Sequence, residues 1–161
     1  MKGGKKNMKQ TLIEAYADLE RFYDASKKAY VFGDDYATIV FDDKKEMSWI
    51  GANIIAPNAE IVMLHENVTL ARGAGIDARS LSAIKIRAEG DIKLSLCLSG
   101  KCIVSRKNIA AHRILARSIR AKSIFAGKIY TEELYAKNIR CVWLESDLID
   151  CPNVVTNMKK D

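Results

Sequence analysis

Four cysteines and two histidines are the residues of this chain best suited to ligate a metal or attack a substrate, and their spacing serves neither purpose. Cys97, Cys102, Cys141 and Cys151 form no Cys-x-x-Cys pair, and His65 and His112 stand outside any ligand pattern. His112 sits beside Arg113 without a well-placed carboxylate, which reads as a surface histidine. No Gly-rich phosphate loop or nucleophile elbow occurs, and Asp34-Asp35 and Asp42-Asp43 read as turn residues. Neither an enzyme nor a cofactor or metal is expected. What remains is charge. Arg79, Lys85, Lys101, Arg106, Lys107, Arg120, Lys122, Lys128 and Arg140 are cations able to neutralise phosphates. Phe125, Tyr130 and Tyr135 are rings able to stack on bases or fill a protein pocket.

These cations belong to a strongly uneven distribution. The net charge is +6 over 161 residues, but residues 8–66 hold 6 Lys/Arg against 11 Asp/Glu. Residues 67–140 hold 15 against 5, an excess of +10. An acidic N-terminal third and a basic middle are suited to different tasks. The length fits one domain, and 2 prolines and 9 glycines argue against a linker-rich chain. No signal-like apolar segment follows the charged start, and no apolar run is long enough for a membrane span. Reduced thiols and a cytoplasmic location, away from membranes, are the expectation.

The elements that carry the cations are set by a five-residue period. From Ile109 a large aliphatic recurs at Ile114, Ile119, Ile124, Ile129, Leu134, Ile139, Leu144, Ile149 and Val154. Two residues after each stands a small one, as at Ala111, Ala116, Ala121, Ala126, Ala136, Cys141 and Cys151. Upstream, Ile76, Leu81, Ile86, Ile92, Leu98 and Ile103 continue the series with one-residue insertions. A helix cannot use this spacing, because five residues advance about 500° around its axis. A strand points residues i and i+2 to the same side, so the aliphatic and the small residue both face inward. The other residues turn a corner, and repetition gives a β-solenoid of stacked coils. A narrow Ile-and-Ala core explains why aromatics make up only 7% of the chain.

Over residues 76–156 this pattern resembles the pentapeptide-repeat family of right-handed quadrilateral β-helices. The phase differs, since typical members place the small residue two positions before the anchor, whereas Ile119-Arg120-Ala121-Lys122-Ser123 places it two after. The resemblance implies four faces per coil. One column of anchors would then hold Ile76, Leu98, Ile119 and Ile139, and the next Leu81, Ile103, Ile124 and Leu144. The nine cations would lie on the first two columns, forming one basic wall. Family members that bind topoisomerases are acidic DNA mimics, and the basic middle here does not carry that mode over.

The N-terminal part reads as a cap. Thr11-Leu12-Ile13-Glu14 has the form of a capping box, and Leu12, Tyr16, Leu19 and Tyr23 recur at helical spacing. A helix is predicted over residues 11–28. A hairpin is predicted from Val31-Phe32 through Gly33-Asp34-Asp35 to Tyr36–Phe41, with a second turn at Asp42–Glu46. The organisation expected is therefore a flexible basic start (1–10), a helix-plus-hairpin cap or dimerisation element (11–47), a solenoid (48–156) and a tail (157–161). Tyr130 and Tyr135 would either face a partner or pack on the N-terminal helix.

The fold class expected is mainly β, a quadrilateral parallel β-solenoid with an N-terminal helix and hairpin cap. The function expected is presentation of a basic face to a polyanion, either nucleic acid or a nucleic-acid-handling protein. Two alternatives are a mobile-element inhibitor of a nucleic-acid enzyme, such as a CRISPR effector or topoisomerase, and a self-assembling scaffold similar to bactofilins. A homodimer through the N-terminal region or a solenoid end is compatible with each.

Overall fold

A computed structural model describes residues 8–42, 49–64 and 66–156. Residues 1–7, most of the turn expected at Asp42–Glu46, His65 and the 157–161 tail lie outside them. The fold is mainly β and consistent with a β-solenoid. Its strands are β1 (Lys9–Ile13), β2 (Tyr23–Asp24), β3 (Ala29–Val31), β4 (Tyr36–Phe41), β5 (Trp49–Ile50) and β6 (Asn53–Met63). They continue through β7 (Val68–Leu70), β8 (Ile76–Ala88), β9 (Ile92–Ser105), β10 (Asn108–Asp150) and β11 (Asn153–Thr156). One short helix, α1 (Tyr16–Glu20), follows β1. The main path through the sheet runs β1-β4-β6-β8-β9-β10-β11, with every neighbour on it parallel. Among the described residues no helix is long and apolar enough to cross a membrane.

The register counts the faces, and it corrects the expected cross-section. Ile76 pairs with Ile92 and Ile92 with Ile109, steps of 16 and 17 residues. Ile103 pairs with Ile119, a step of 16, and Ile139 with Val154, a step of 15. At five residues per face these are three-faced coils; the quadrilateral arrangement and its four columns do not form. The one-residue excesses are the insertions visible in the sequence between Ile86 and Ile92, Ile92 and Leu98, and Ile103 and Ile109. Anchor spacing fixes the length of a face but leaves the corner angle open. Three branched aliphatics per coil suffice to fill the resulting prism: Ile114, Ile119 and Ile124 meet at its centre, and none exposes any surface.

Three faces follow. Face I carries Leu81, Leu98, Ile114, Ile129 and Leu144; face II carries Ile86, Ile103, Ile119, Leu134 and Ile149. Face III carries Ile76, Ile92, Ile109, Ile124, Ile139 and Val154. The registers of β8, β9 and the start of β10 give the first members of each column directly. The 15-residue step between Ile139 and Val154 gives the last. In between, the Lys122 N–H donates to the Lys107 carbonyl at 2.8 Å, and Asn138 Nδ2 donates to Ser123 Oγ at 3.3 Å, both 15 residues apart. Small residues at the second inward position let coils approach: Ala111, Ala116, Ala121 and Cys141 are buried. A Cβ on Gly100 would collide with the Ala83 carbonyl oxygen of the coil before it.

The N-terminal third also departs from expectation. The helix expected over 11–28 is reduced to α1, because Thr11–Ile13 is used as a strand that pairs in parallel with β4. Asp18, not Thr11, organises the short helix: its carboxylate accepts the Glu14 and Ala15 N–H groups at 3.0 and 3.2 Å. Leu12 and Tyr23, two of the four residues at helical spacing, are exposed. The hairpin expected across Gly33–Asp35 is instead a corner. β3 and β4 do not pair with each other, and both run parallel to β6. The antiparallel pair lies earlier, Tyr23 opposite Tyr30 and Asp24 opposite Ala29. Its turn is held by Asp24 Oδ1, which accepts the Ser26 N–H at 2.9 Å, with Lys28 at φ 50°. The Phe22 and Phe32 rings stack at 4.2 Å and both meet Tyr36 edge-on, which closes the core beside the fully buried Ile13 and Leu19.

Candidate polyanion-binding face

Face II and its corner with face III gather the cations. On face II, Arg87 pairs with Val104 and Val104 with Arg120, so the two arginines stand on one column two coils apart. Arg120 sits over Tyr135 of the next coil, its guanidinium carbon 5.0 Å from the ring centroid. At the corner, Arg106, Lys122 and Lys137 project from successive coils, with Lys107 beside Arg106. Arg106, Arg120, Lys122, Tyr135, Lys137 and Asp150 share the lining of a shallow groove of about 450 Å³. Further up the corner a hollow of about 280 Å³ includes Lys93, Lys107 and Asp91 in its lining.

A polar ladder makes this corner rigid. The residue just before each face III anchor is Gly75, Asp91, Asn108, Ser123, Asn138 or Asn153, and Asn53 stands before Ile54, which pairs with Ile76. Gly75 N–H donates to Asn53 Oδ1 at 2.7 Å, and Asn108 N–H to Asp91 Oδ1 at 3.0 Å. Asn153 Nδ2 donates to Asn138 Oδ1 at 3.1 Å, extending the Asn138–Ser123 contact by one coil. Buried Ser105 donates to the Gly90 carbonyl at 2.8 Å and accepts the Lys107 N–H at 3.1 Å. Lys107, Lys122 and Lys137 each immediately precede a rung of the ladder, so their backbones are fixed while their side chains extend into solvent.

Coils stack ~4.8 Å apart, so Lys122 and Lys137 are like-charged neighbours, and so are Lys122 and Arg106. In water two such charges repel by about 1 kcal/mol, and like charges across paired strands destabilise a sheet. Among the described residues the ion pairs are Lys9–Asp35 at 2.9 Å and Arg117–Glu132 at 3.1 Å. Neither relieves this corner. Face I treats its charge differently, since Arg117 is matched by Glu132 one coil on.

The structure therefore divides the nine cations named from sequence. Arg106, Lys107, Arg120 and Lys122 fall on face II or its corner with face III, together with Tyr135, whereas Lys85 lies at the other edge of face II, its corner with face I. Arg79 and Arg140 fall on face III with Phe125, which is exposed. Lys101 and Lys128 belong to face I and its corners, with Tyr130. The single wall expected from four columns is not formed. Arg87 and Lys137 belong to the cluster and went unrecognised; a 15-residue coil would have placed Lys137 directly beyond Lys122. The tyrosines meet arginines of the preceding coil, not the N-terminal helix: Tyr135 under Arg120, and Tyr130 with Arg113 at 5.6 Å.

Among the described residues no three His, Cys, Asp or Glu side chains come together as a metal site. Cys141 occupies an inward small-residue position, and its burial pushes the thiol pKa up, away from the reactive thiolate. Cys97, Cys102 and Cys151 are half-buried. Comparison with protein families, curated proteins and solved structures finds no match to this chain.

Proposed function

We propose that the protein is a non-enzymatic binding scaffold that presents face II and its corner to a polyanion, nucleic acid or the nucleic-acid-like surface of a protein complex. The observation that carries this reading is the stack of Arg106, Lys122 and Lys137 on successive coils, flanked by Arg120; Asp150 shares their groove, but among the described residues none of these cations forms an ion pair. An anionic chain laid along the corner converts their mutual repulsion into attraction and releases counterions. The ladder beneath the cations is ordered in advance, so docking loses little backbone entropy. The Arg120–Tyr135 pair supplies a planar cation on an aromatic base, a surface that accepts a nucleobase by stacking.

The test is co-purification of the full chain with and without nuclease, followed by binding of labelled oligonucleotides by fluorescence anisotropy. Nuclease-sensitive association, and oligonucleotide affinity that falls when Arg106, Lys122 and Lys137 are all changed to Gln, support direct binding. A stoichiometric protein that stays bound after nuclease, with no oligonucleotide affinity, moves the target to a protein and favours the inhibitor alternative.

A further inference from the structure

The two ends of the stack differ. At the N-terminal end Ile13 and Leu19 are fully buried beneath β1, α1 and the Phe22–Phe32–Tyr36 cluster. At the C-terminal end the last anchors are uncovered. Ile149 is 43% and Val154 40% exposed, whereas Leu134 and Ile139, one coil earlier on the same columns, are 0% and 1%. Trp143, Leu148 and Val155 of this coil are exposed too. β11 ends the strand order, paired on one side only, with β10. Five residues beyond Val154 the sequence has Lys159 in place of an aliphatic. Edge strands are commonly blunted by lysines, yet Cys141–Thr156 holds no Lys or Arg.

Charge identifies what fits. The last coil carries Glu145, Asp147 and Asp150 and no cation, in contrast to the basic coils above it. Glu145 and Asp150 occupy outward positions next to the anchors Leu144 and Ile149, and Asp147 lies at the corner between them. A strand added ~4.8 Å below would bring its outward side chains against these carboxylates. A second copy docked tail to tail would set carboxylate against carboxylate, and the first coil of another copy carries α1 packed against β1. We infer that the C-terminal end of the stack is a docking surface for a basic, β-forming segment of a partner protein, which adds a coil-like layer to the solenoid. The fitting segment has large aliphatics every fifth residue to cover Leu144, Ile149 and Val154, and Lys or Arg at the outward positions. A side-chain amide or hydroxyl below Asn153 would extend the polar ladder. Main-chain hydrogen bonds to β11 supply affinity, and the charge pattern supplies selectivity.

The probe is a synthetic peptide copying one basic interior coil, residues 117–131, and a second peptide with its Lys and Arg changed to Glu. Binding is read in the full chain carrying Trp49→Phe, which leaves Trp143 as the reporter, together with amide exchange at residues 153–156. The basic peptide is expected to shift Trp143 emission, protect β11 and bind at least tenfold more tightly at this end than its acidic counterpart. An acidic peptide held on face II would leave Trp143 and β11 unchanged. Changing Glu145, Asp147 and Asp150 to Lys should reverse the preference, and Val154→Arg should abolish the response to both peptides. Equal affinity for the two peptides, or no response to either, overturns the proposal. So does a concentration-dependent dimer that Val154→Arg dissolves, which would make a second copy the occupant. Peptide binding that appears only after residues 157–161 are removed would assign the surface to the chain's own tail and overturn it as well.

Discussion

Replacing Ile124 by Ala should cost far more than the same change at Ile149, and the difference follows from the stack. Ile124 is wholly buried between Ile109 and Ile139 on face III and meets Ile119 and Ile129 of its own coil. Truncation removes three carbon groups worth about 0.8 kcal/mol each on burial and leaves an enclosed void, for about 3–5 kcal/mol in total. Ile149 is 43% exposed and opens onto solvent. Only part of the transfer term applies there and no closed cavity forms, giving about 1 kcal/mol. Against a typical total stability of ~5–15 kcal/mol, the first change is severe and the second mild. Urea unfolding followed by far-ultraviolet circular dichroism measures the totals, and in a Trp49→Phe background Trp143 emission reports the last coil separately, which matters because solenoids can unfold in units. Equal losses at the two sites would refute the reasoning, since either Ile149 would be covered or Ile124 would not occupy the centre of a three-faced coil.

Three further outcomes probe other parts of the structure. With the four native cysteines replaced, Cys at 120 and 135 should form a disulfide on mild oxidation, because these positions are stacked neighbours, while Cys at 120 and 140 should not; the reverse would restore a twenty-residue coil. Gly100→Ala should destabilise by about 1–3 kcal/mol in urea unfolding, because the new Cβ meets the Ala83 carbonyl oxygen and lies 2.8 Å from Ile103 Cδ1. The Tyr30 phenol is pushed up to about 12 by burial and by neighbouring Glu20. Below pH 10 its stabilising contribution is complete. Between pH 10 and 12 the unfolded chain loses this proton first, so stability should fall by on the order of 2–3 kcal/mol. Tyr30→Phe should flatten that part of the pH profile.

The core was legible because the five-residue period is a direct record of which side chains point inward. Ile109, Ile114, Ile119, Ile124, Ile129, Leu134 and Ile139 are all buried. The number of faces was not legible, since Ile119 and Ile124 are five residues apart whether three or four faces close the ring. That ambiguity scattered the site: with twenty residues per coil Arg120 aligns with Arg140, and with fifteen it lies over Tyr135. The N-terminal helix failed for a related reason. Leu12, Tyr16, Leu19 and Tyr23 satisfy helical spacing, but without β1 the open edge of β4 would leave its backbone groups unpaired, and pairing with Thr11–Ile13 satisfies them. Local spacing cannot reveal a partner strand nearly thirty residues away.

The central claim is that one corner of a three-faced stack binds a polyanion. The most direct test is the salt dependence of binding to a labelled single-stranded oligonucleotide. Each phosphate contact contributes about −0.7 to the slope of log K against log salt. Changing Arg106, Lys122 and Lys137 together to Gln should therefore make the slope shallower by about 2, while changing Arg79, Lys101 and Lys128 to Gln should leave it nearly unaltered. Equal effects from the two triple variants, or no effect from either, would contradict the account.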